Sequence, residues 1–273
     1  QALARRALQH GWRIIGTTRS AEKATTLAAE GIEPLIWPGT SLAPALAQAT
    51  HILASIAPGP EGDPVLNAHA AEIAAARPVW VGYLSTTGVY GDHAGAWVDE
   101  DTPLTPSTLR GQQRVLAEAQ WQALDLPLHI FRLAGIYGPG RGPFAKVRNR
   151  TARRIVKPGQ VFSRIHVEDI AATLEASMLR PHPGRIYNLC DDDPAPPEAV
   201  IAHAATLLGM PEPPAEDYAT AEMTPMARSF YAESKRVRND RIKTELGLRL
   251  RYPSYREGLA ALLAAGDFTD DEV

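Results

Sequence analysis

Residues 78–92 read PVWVGYLSTTGVYGD. The first eight, PVWVGYLS, make a short apolar run of the length of a strand buried on both faces, and it ends in the hydroxyl triplet Ser85, Thr86 and Thr87. A strand of this kind needs helices over both faces. Upstream, HILAS (51–55), EPLIW (33–37) and WRIIGTT (12–18) read as further short buried strands, separated by helical patterns at 20–30, 41–49 and 64–76. Downstream, an amphipathic helix over about 107–124 leads to LHIFRLAG (128–135). Strands of this length alternating with helices of ten or more residues specify an α/β fold, a mostly parallel sheet covered on both faces. Such sheets place their sites at the carboxyl ends of the strands, so the loops starting at Thr17, Ser55, Ser85 and Ala134 should line one crevice.

From about residue 136 the character changes. YGPGRGP is a tight Gly/Pro loop, RIHVEDIAATLEASMLR opens a helix, RIYNLCDDD reads as one more strand, and Pro-rich acidic stretches flank a helix at 197–208. The reading expects a core of residues 1–136 and 160–192, with a smaller substrate-facing lobe of 137–159 and 193–273.

Composition narrows the function. The 273 residues carry a net charge of -3, so no overall basic field exists to hold a nucleic-acid backbone. No run approaches the ~18 apolar residues of a membrane span, and the reading expects a cytoplasmic protein. Cys190 is the only cysteine, which excludes an internal disulfide and any multi-cysteine metal site; no metal is expected. In YNLCDDD it reads as a small hydrophobe of a buried strand.

Five motifs, LSTTGVYGD (84–92), DEDTPLTP (99–106), FRLAGIYGPGRGP (131–143), RIHVEDIA (164–171) and YNLCDDDP (187–194), occur in the order and spacing of the extended short-chain dehydrogenase/reductases. The chain resembles this NAD(P)-dependent epimerase/dehydratase group along nearly its whole length, and its atypical bacterial branch in particular. The resemblance implies a Rossmann-type doubly wound sheet with a smaller C-terminal substrate lobe, and a glycine turn that presents backbone N–H groups and a helix N-terminus to the dinucleotide pyrophosphate. GPGRG (138–142) and APGPEG (57–62) have neither the place nor the spacing of that turn. The opening QALARRALQHG reads as a helix already under way, with Leu3, Ala7 and Leu8 on one face, and the reading expects a strand and turn of about ten residues before Gln1.

The end of the second Rossmann strand distinguishes the cofactors: an acid there accepts from the ribose hydroxyls of NAD, and an arginine accommodates the 2′-phosphate of NADP. GTTRS supplies Thr18, Arg19 and Ser20 and no acid, which favours NADP, with NAD as the alternative. The resemblance also places Ala57 and Pro58 at the adenosine and diphosphate side, and Leu133, Ala134 and Gly135 near the nicotinamide.

Chemistry in the family uses a Ser or Thr that holds the substrate oxygen, and a Tyr followed four residues later by Lys, which lowers the phenol's pKa. Ser85 and Thr86 answer the first requirement. The second falls on RGQQR (110–114), with Arg110 in the Tyr position and Arg114 in the Lys position. Arginine has no acceptor and does not deprotonate in proteins, so Arg110 cannot shuttle a proton. Arg114 retains the positive charge for cofactor support, and the two arginines form either a clamp for an anionic substrate or a solvated face with Arg114 paired to Glu118. Tyr90, Tyr137, Asp92, Glu100 and Asp101 are weaker candidates for the acid; His166 with Asp169 reads as a helix opening. The reading that results is an NAD(P)-binding oxidoreductase or epimerase for a small carbonyl, hydroxyl or sugar-like compound, with a homodimer through the helices flanking the sheet. Its alternatives are a non-catalytic NAD(P) sensor on the same fold and, more weakly, a partner-binding protein without cofactor.

Overall fold

The computed structural model describes residues 1–268. The first half is α1 Ala2–Gln9, β1 Ile15–Thr18, α2 Ala21–Ala29, β2 Glu33–Ile36, α3 Ala43–Leu46, β3 His51–Ala54, α4 Pro64–Ala76 and β4 Trp80–Thr86. A 3-10 turn at Thr87–Tyr90 follows, then β5 Trp97–Val98, α5 Leu109–Gln122, β6 Leu128–Leu133 and β7 Gly135–Tyr137. The remainder is α6 Phe144–Arg148, β8 Arg154–Val156, β9 Arg164–His166, α7 Val167–Leu179, β10 Ile186–Leu189, α8 Pro197–Leu207, β11 Ala215–Asp217, α9 Pro225–Phe230, β12 Arg236–Val237, α10 Asp240–Thr244 and α11 Tyr255–Ala264.

Four parallel strands run in the order β10, β6, β4, β3, and β1 pairs in parallel with β2 as a separate piece. Among the described residues β1 pairs only with β2, and β3 only with β4. At the foot of these strands the Trp12 ring lies 4.6 Å from His51, and Arg13 donates to Gln48 at 2.8 Å.

Strand alternation explains how both faces are covered. Val81, Tyr83 and Ile130 pack with Leu66, Ile73, Ala117 and Trp121 of α4 and α5, whereas Trp80, Phe131 and Leu133 pack with Ile170 and Leu174 of α7 and with Ile242. Asp63 starts α4 by accepting from the amides of Val65 and Leu66, and Pro64 occupies the first helical position, where no donor is needed. EPLIW departs from its expected burial. Glu33, Pro34 and Ile36 are exposed, because β2 is an edge strand with a single partner.

A second core joins Tyr137, Phe144, Val147, Val200, Ala204, Tyr255 and Leu259 across α6, α8 and α11, beside the parallel pair β8 and β11. Residues 227–243, rich in basic side chains, are split among α9, β12 and α10, and β12 pairs with β5. Among the described residues no helix is long and apolar enough to cross a membrane.

Candidate functional site

Thr86 ends β4 and caps the following turn, its Oγ1 accepting from the Gly88 amide at 3.1 Å. Ser85 lies on the opposite face of the strand and turns inward. Its hydroxyl donates to Glu118 Oε1 at 2.5 Å, and Glu118 also accepts from Arg132 Nε and Nη2 at 3.1 and 2.8 Å. Arg132 Nη1 reaches the Tyr90 hydroxyl at 3.0 Å, which donates to Asn188 Oδ1 at 2.7 Å; the Asn188 amide donates to Glu100 at 2.8 Å. All six residues are buried. Ser85, expected to hold a reacting oxygen, has its hydroxyl proton committed to Glu118 inside the core. Burial pushes Tyr90 up to about 12 and also raises Glu100, and both are held inside this buried hydrogen-bond network.

The first turn of α5 presses on this turn. An added Cβ at Gly111 would lie 2.8 Å from the Gly88 carbonyl oxygen, and Thr108 caps the helix through the Gly111 amide at 3.1 Å. Arg110 is exposed there with no hydrogen-bond or ion-pair partner among the described residues. Arg114 does not pair with Glu118, whose oxygens are taken by Ser85 and Arg132. Its Nη1 donates instead to the Leu84 carbonyl at 2.7 Å and the Tyr83 hydroxyl at 3.0 Å, with the guanidinium 5.7 Å from the Tyr83 ring.

The other candidates gather at the carboxyl ends of the strands. Thr18 ends β1, Ser20 caps α2 through the Lys23 amide, and Arg19 between them is exposed and unpartnered among the described residues. Ala57 is exposed and Pro58 half-buried beyond β3. Leu133 and Ala134 are buried, and the amides of Ala134 and Gly135 are already bonded to the carbonyls of Leu189 and Ser163. Asp92 and Asp101 are not free acids: Asp92 accepts from the Ser234 and Ala94 amides, which hold it below the usual carboxylate range, and Asp101 pairs with Arg241 at 2.9 Å.

Two further features take their form only in the structure. The segment 231–239 is a strap that crosses the crevice rim. Glu233 accepts from Ser107 Oγ at 2.5 Å, Lys235 donates to the Gly91 carbonyl at 2.6 Å, the Val237 amide donates to Ser163 Oγ at 3.1 Å, and Asn239 donates to the Cys190 carbonyl at 2.8 Å. Cys190 itself lies one residue past β10, fully buried.

The second is Asp191. It is buried, its Oδ2 has no hydrogen-bond partner among the described residues, and burial pushes the carboxyl up to about 8. Nearby Tyr137 is raised further by burial and by Asp191. The neighbouring motif serves as a helix opening: His166 Nδ1 accepts from the Glu168 amide at 3.2 Å, and burial lowers the imidazole to about 4. Asp169 accepts from the amides of Arg251 and Tyr252. Surface cavities of 560 and 260 Å³, lined by Lys243, Leu248 and Arg249 and by Leu124, Leu126 and Arg185, include none of the crevice residues.

The parallel strand order with helices over both faces is that of a Rossmann-type α/β fold, the fold of the NAD-dependent epimerases/dehydratases. UDP-glucuronic acid 4-epimerase from Bacillus cereus, solved with NAD, has this fold, with a TM-score of 0.72 at 16% identity over 95% of this chain and 92% of that one. No family model matches the chain. A structure from Silicibacter pomeroyi DSS, described as a functionally unknown conserved protein, is 62% identical with a TM-score of 0.94, over 97% of this chain and 94% of that one. The chain belongs to the same family as that protein. Among curated relatives, protein YeeZ of Escherichia coli K12 is 33% identical over 177 residues, and a 3-diazoavenalumate denitrifying reductase of Streptomyces sp is 28% identical over 187. The match takes in 63% of this chain and spans 58% of the length of each of these relatives.

Proposed function

We propose that this chain is an NAD(P)-dependent oxidoreductase or epimerase for a small anionic carbonyl or hydroxyl compound, with NADP as the favoured cofactor. The observation that carries the cofactor choice is Arg19, a free guanidinium at the tip of β1 between two hydroxyl residues, Thr18 and Ser20, with no acid at the strand end. This donor set fits a 2′-phosphate and would leave the ribose hydroxyls of NAD without their usual acceptor. When bound, the nicotinamide supplies or accepts hydride.

The protein's part is positioning. Thr86 keeps its hydroxyl proton free while its oxygen caps the turn, so it can donate to a substrate oxygen above β4. Arg110, next along the rim, offers charge to an anionic group but no proton acceptor. Arg114 acts from below, fixing the carbonyl of Leu84 and the phenol of Tyr83, and thereby the strand end that carries Thr86. The chemistry thus runs without the family's tyrosine.

A second reading, a non-catalytic NAD(P) sensor, is favoured by that same arginine at position 110. We also propose a homodimer through α5, whose outer face exposes Leu109 and Leu116, and a cytoplasmic setting.

Calorimetry of the full chain with NADPH and NADH tests the proposal, followed by turnover on a panel of carbonyl acids. Binding of NADPH that falls about tenfold or more in Arg19→Ala, with NADH unchanged, supports the assignment. Turnover that is lost in Thr86→Val identifies an enzyme, and binding without turnover identifies a sensor. Binding of neither nucleotide refutes both.

A further inference from the structure

Three aromatic rings of the lobe form a row. The Phe162 ring meets Tyr231 edge-on at 5.7 Å, and Tyr231 meets Tyr218 at 5.4 Å with their planes tilted by 32°. Three cations stand over this row: Arg164 lies 5.9 Å from the Phe162 ring, and Lys157 and Arg228 lie 5.2 and 5.0 Å from the Tyr218 ring. None of these cations has a carboxylate within ion-pair distance among the described residues. Lys157 donates to the Tyr231 carbonyl, Arg164 to those of Phe162 and Ala195, and Arg228 to that of Ala221. Arg153, on the same lobe, is by contrast paired with Glu216. The hydroxyls of Tyr218 and Tyr231 also lack a protein partner among the described residues, and all three rings are half-buried.

The row is joined to the crevice through the backbone. Ser163, next to Phe162, accepts the Gly135 amide at 3.1 Å, and Arg164 is the register partner of Gly135. At the other side, two residues beyond Tyr231, Glu233 binds Ser107 at the entrance to α5 and Arg110.

We infer that the row Phe162, Tyr231 and Tyr218, with Lys157, Arg164 and Arg228, is the lobe's ligand pocket and takes a planar aromatic anion. As a substrate pocket this rests on the proposed function above. The rings offer flat apolar contact, and Lys157 and Arg228, with Arg164 whose charge is partly balanced at longer range by Asp191 and Asp193, select against neutral and cationic aromatics. An anion seated there directs its other end toward Thr86 and Gly135.

The probe is 2-naphthoate, titrated into the full chain and followed by calorimetry and saturation-transfer NMR, with and without NADPH. Cyclohexanecarboxylate keeps the charge without the aromatic ring, and 2-naphthalenemethanol keeps the ring without the charge. The expected result is binding of 2-naphthoate that exceeds both controls by about tenfold and weakens by about tenfold in Tyr231→Leu and in Arg228→Gln. Lys157→Gln, at a third point of the row, is the companion variant if either of these unfolds, and it is expected to weaken binding likewise.

Equal affinity for the three probes, no binding of 2-naphthoate, or binding indifferent to these substitutions overturns the inference. NADPH binding without a 2-naphthoate response overturns this pocket alone. A 2-naphthoate response without NADPH binding overturns the cofactor assignment and upholds the pocket as a ligand site.

Discussion

Glu118→Gln is the substitution expected to damage the protein most for the least change in volume. The carboxylate is 2% exposed, receives two hydrogen bonds from Arg132, itself 3% exposed, and holds the Ser85 hydroxyl. Glutamine preserves the size and one acceptor but leaves the buried guanidinium without a counter-charge. Removing one member of such a pair costs about 3–5 kcal/mol, far above the about 0–1 kcal/mol of an exposed pair. In a chain of this length each kcal/mol lowers the melting temperature by about 2 °C, so the expected fall is about 6–10 °C. The assay is a double-mutant cycle by thermal and urea unfolding with Glu118→Gln, Arg132→Met and the double variant. Removing both charges together should recover about 1.5–3 kcal/mol relative to the sum of the single losses. Additivity to within about 0.5 kcal/mol, or single costs under about 1 kcal/mol, would show that the pair is not the link between α5 and β6 described above.

Two titrating groups should oppose each other in pH dependence. Asp191 is raised from an ordinary 3.8 to about 8, so the native state keeps a proton that the unfolded chain has released. Its contribution is complete below about pH 4 and is lost as pH climbs toward 8, and Asp191→Asn should melt higher than the parent at pH 8 with no gain at pH 4. His166 is depressed from 6.5 to about 4, so its contribution is complete above about pH 6.5 and disappears as pH falls toward 4; melts of His166→Asn should show a flatter acid limb. Glycine positions separate backbone strain from crowding. Gly11 and Gly91 both have φ near +75°, but an added Cβ meets nothing at Gly11 and lies 1.9 Å from the Thr105 carbonyl oxygen at Gly91. Gly11→Ala should cost about 1 kcal/mol and Gly91→Ala more than about 4, compared by urea midpoints; similar costs would contradict the packing.

The alternation around β4 was legible because each strand and helix carries its own periodicity. Helix 64–76 matched in both bounds, since Asp63 and Pro64 fix its start by local chemistry. The exposure of β2 was not legible, because a run such as EPLIW looks the same at an edge as at a sheet's centre. Ser85 left a readable signal: it shares strand parity with Val81 and Tyr83, but no single sequence says which parity faces α5. The lobe was the least legible part. Pairs of two or three residues, such as β5 with β12, are too short for any period to show, and the strap is held by hydrogen bonds to groups more than 40 residues distant. Arg19 and Arg110 were visible as chemistry from the start, and the structure adds that both are unpartnered among the described residues.

The strap also bears on how this family can change over time. Residues 231–239 stand beside the lobe's aromatic row at one end, and along their length they bind Ser107, Gly91, Ser163 and Cys190, the backbone frame of the crevice. With the row as the ligand pocket inferred above, a substitution there that retunes ligand choice also disturbs the bracing of the Gly91 turn that follows Thr86. Changes of ligand and changes of stability are therefore inherited together, and a lineage that explores new ligands through the strap should accumulate paired substitutions, one on the strap and one in the turn or loop it holds.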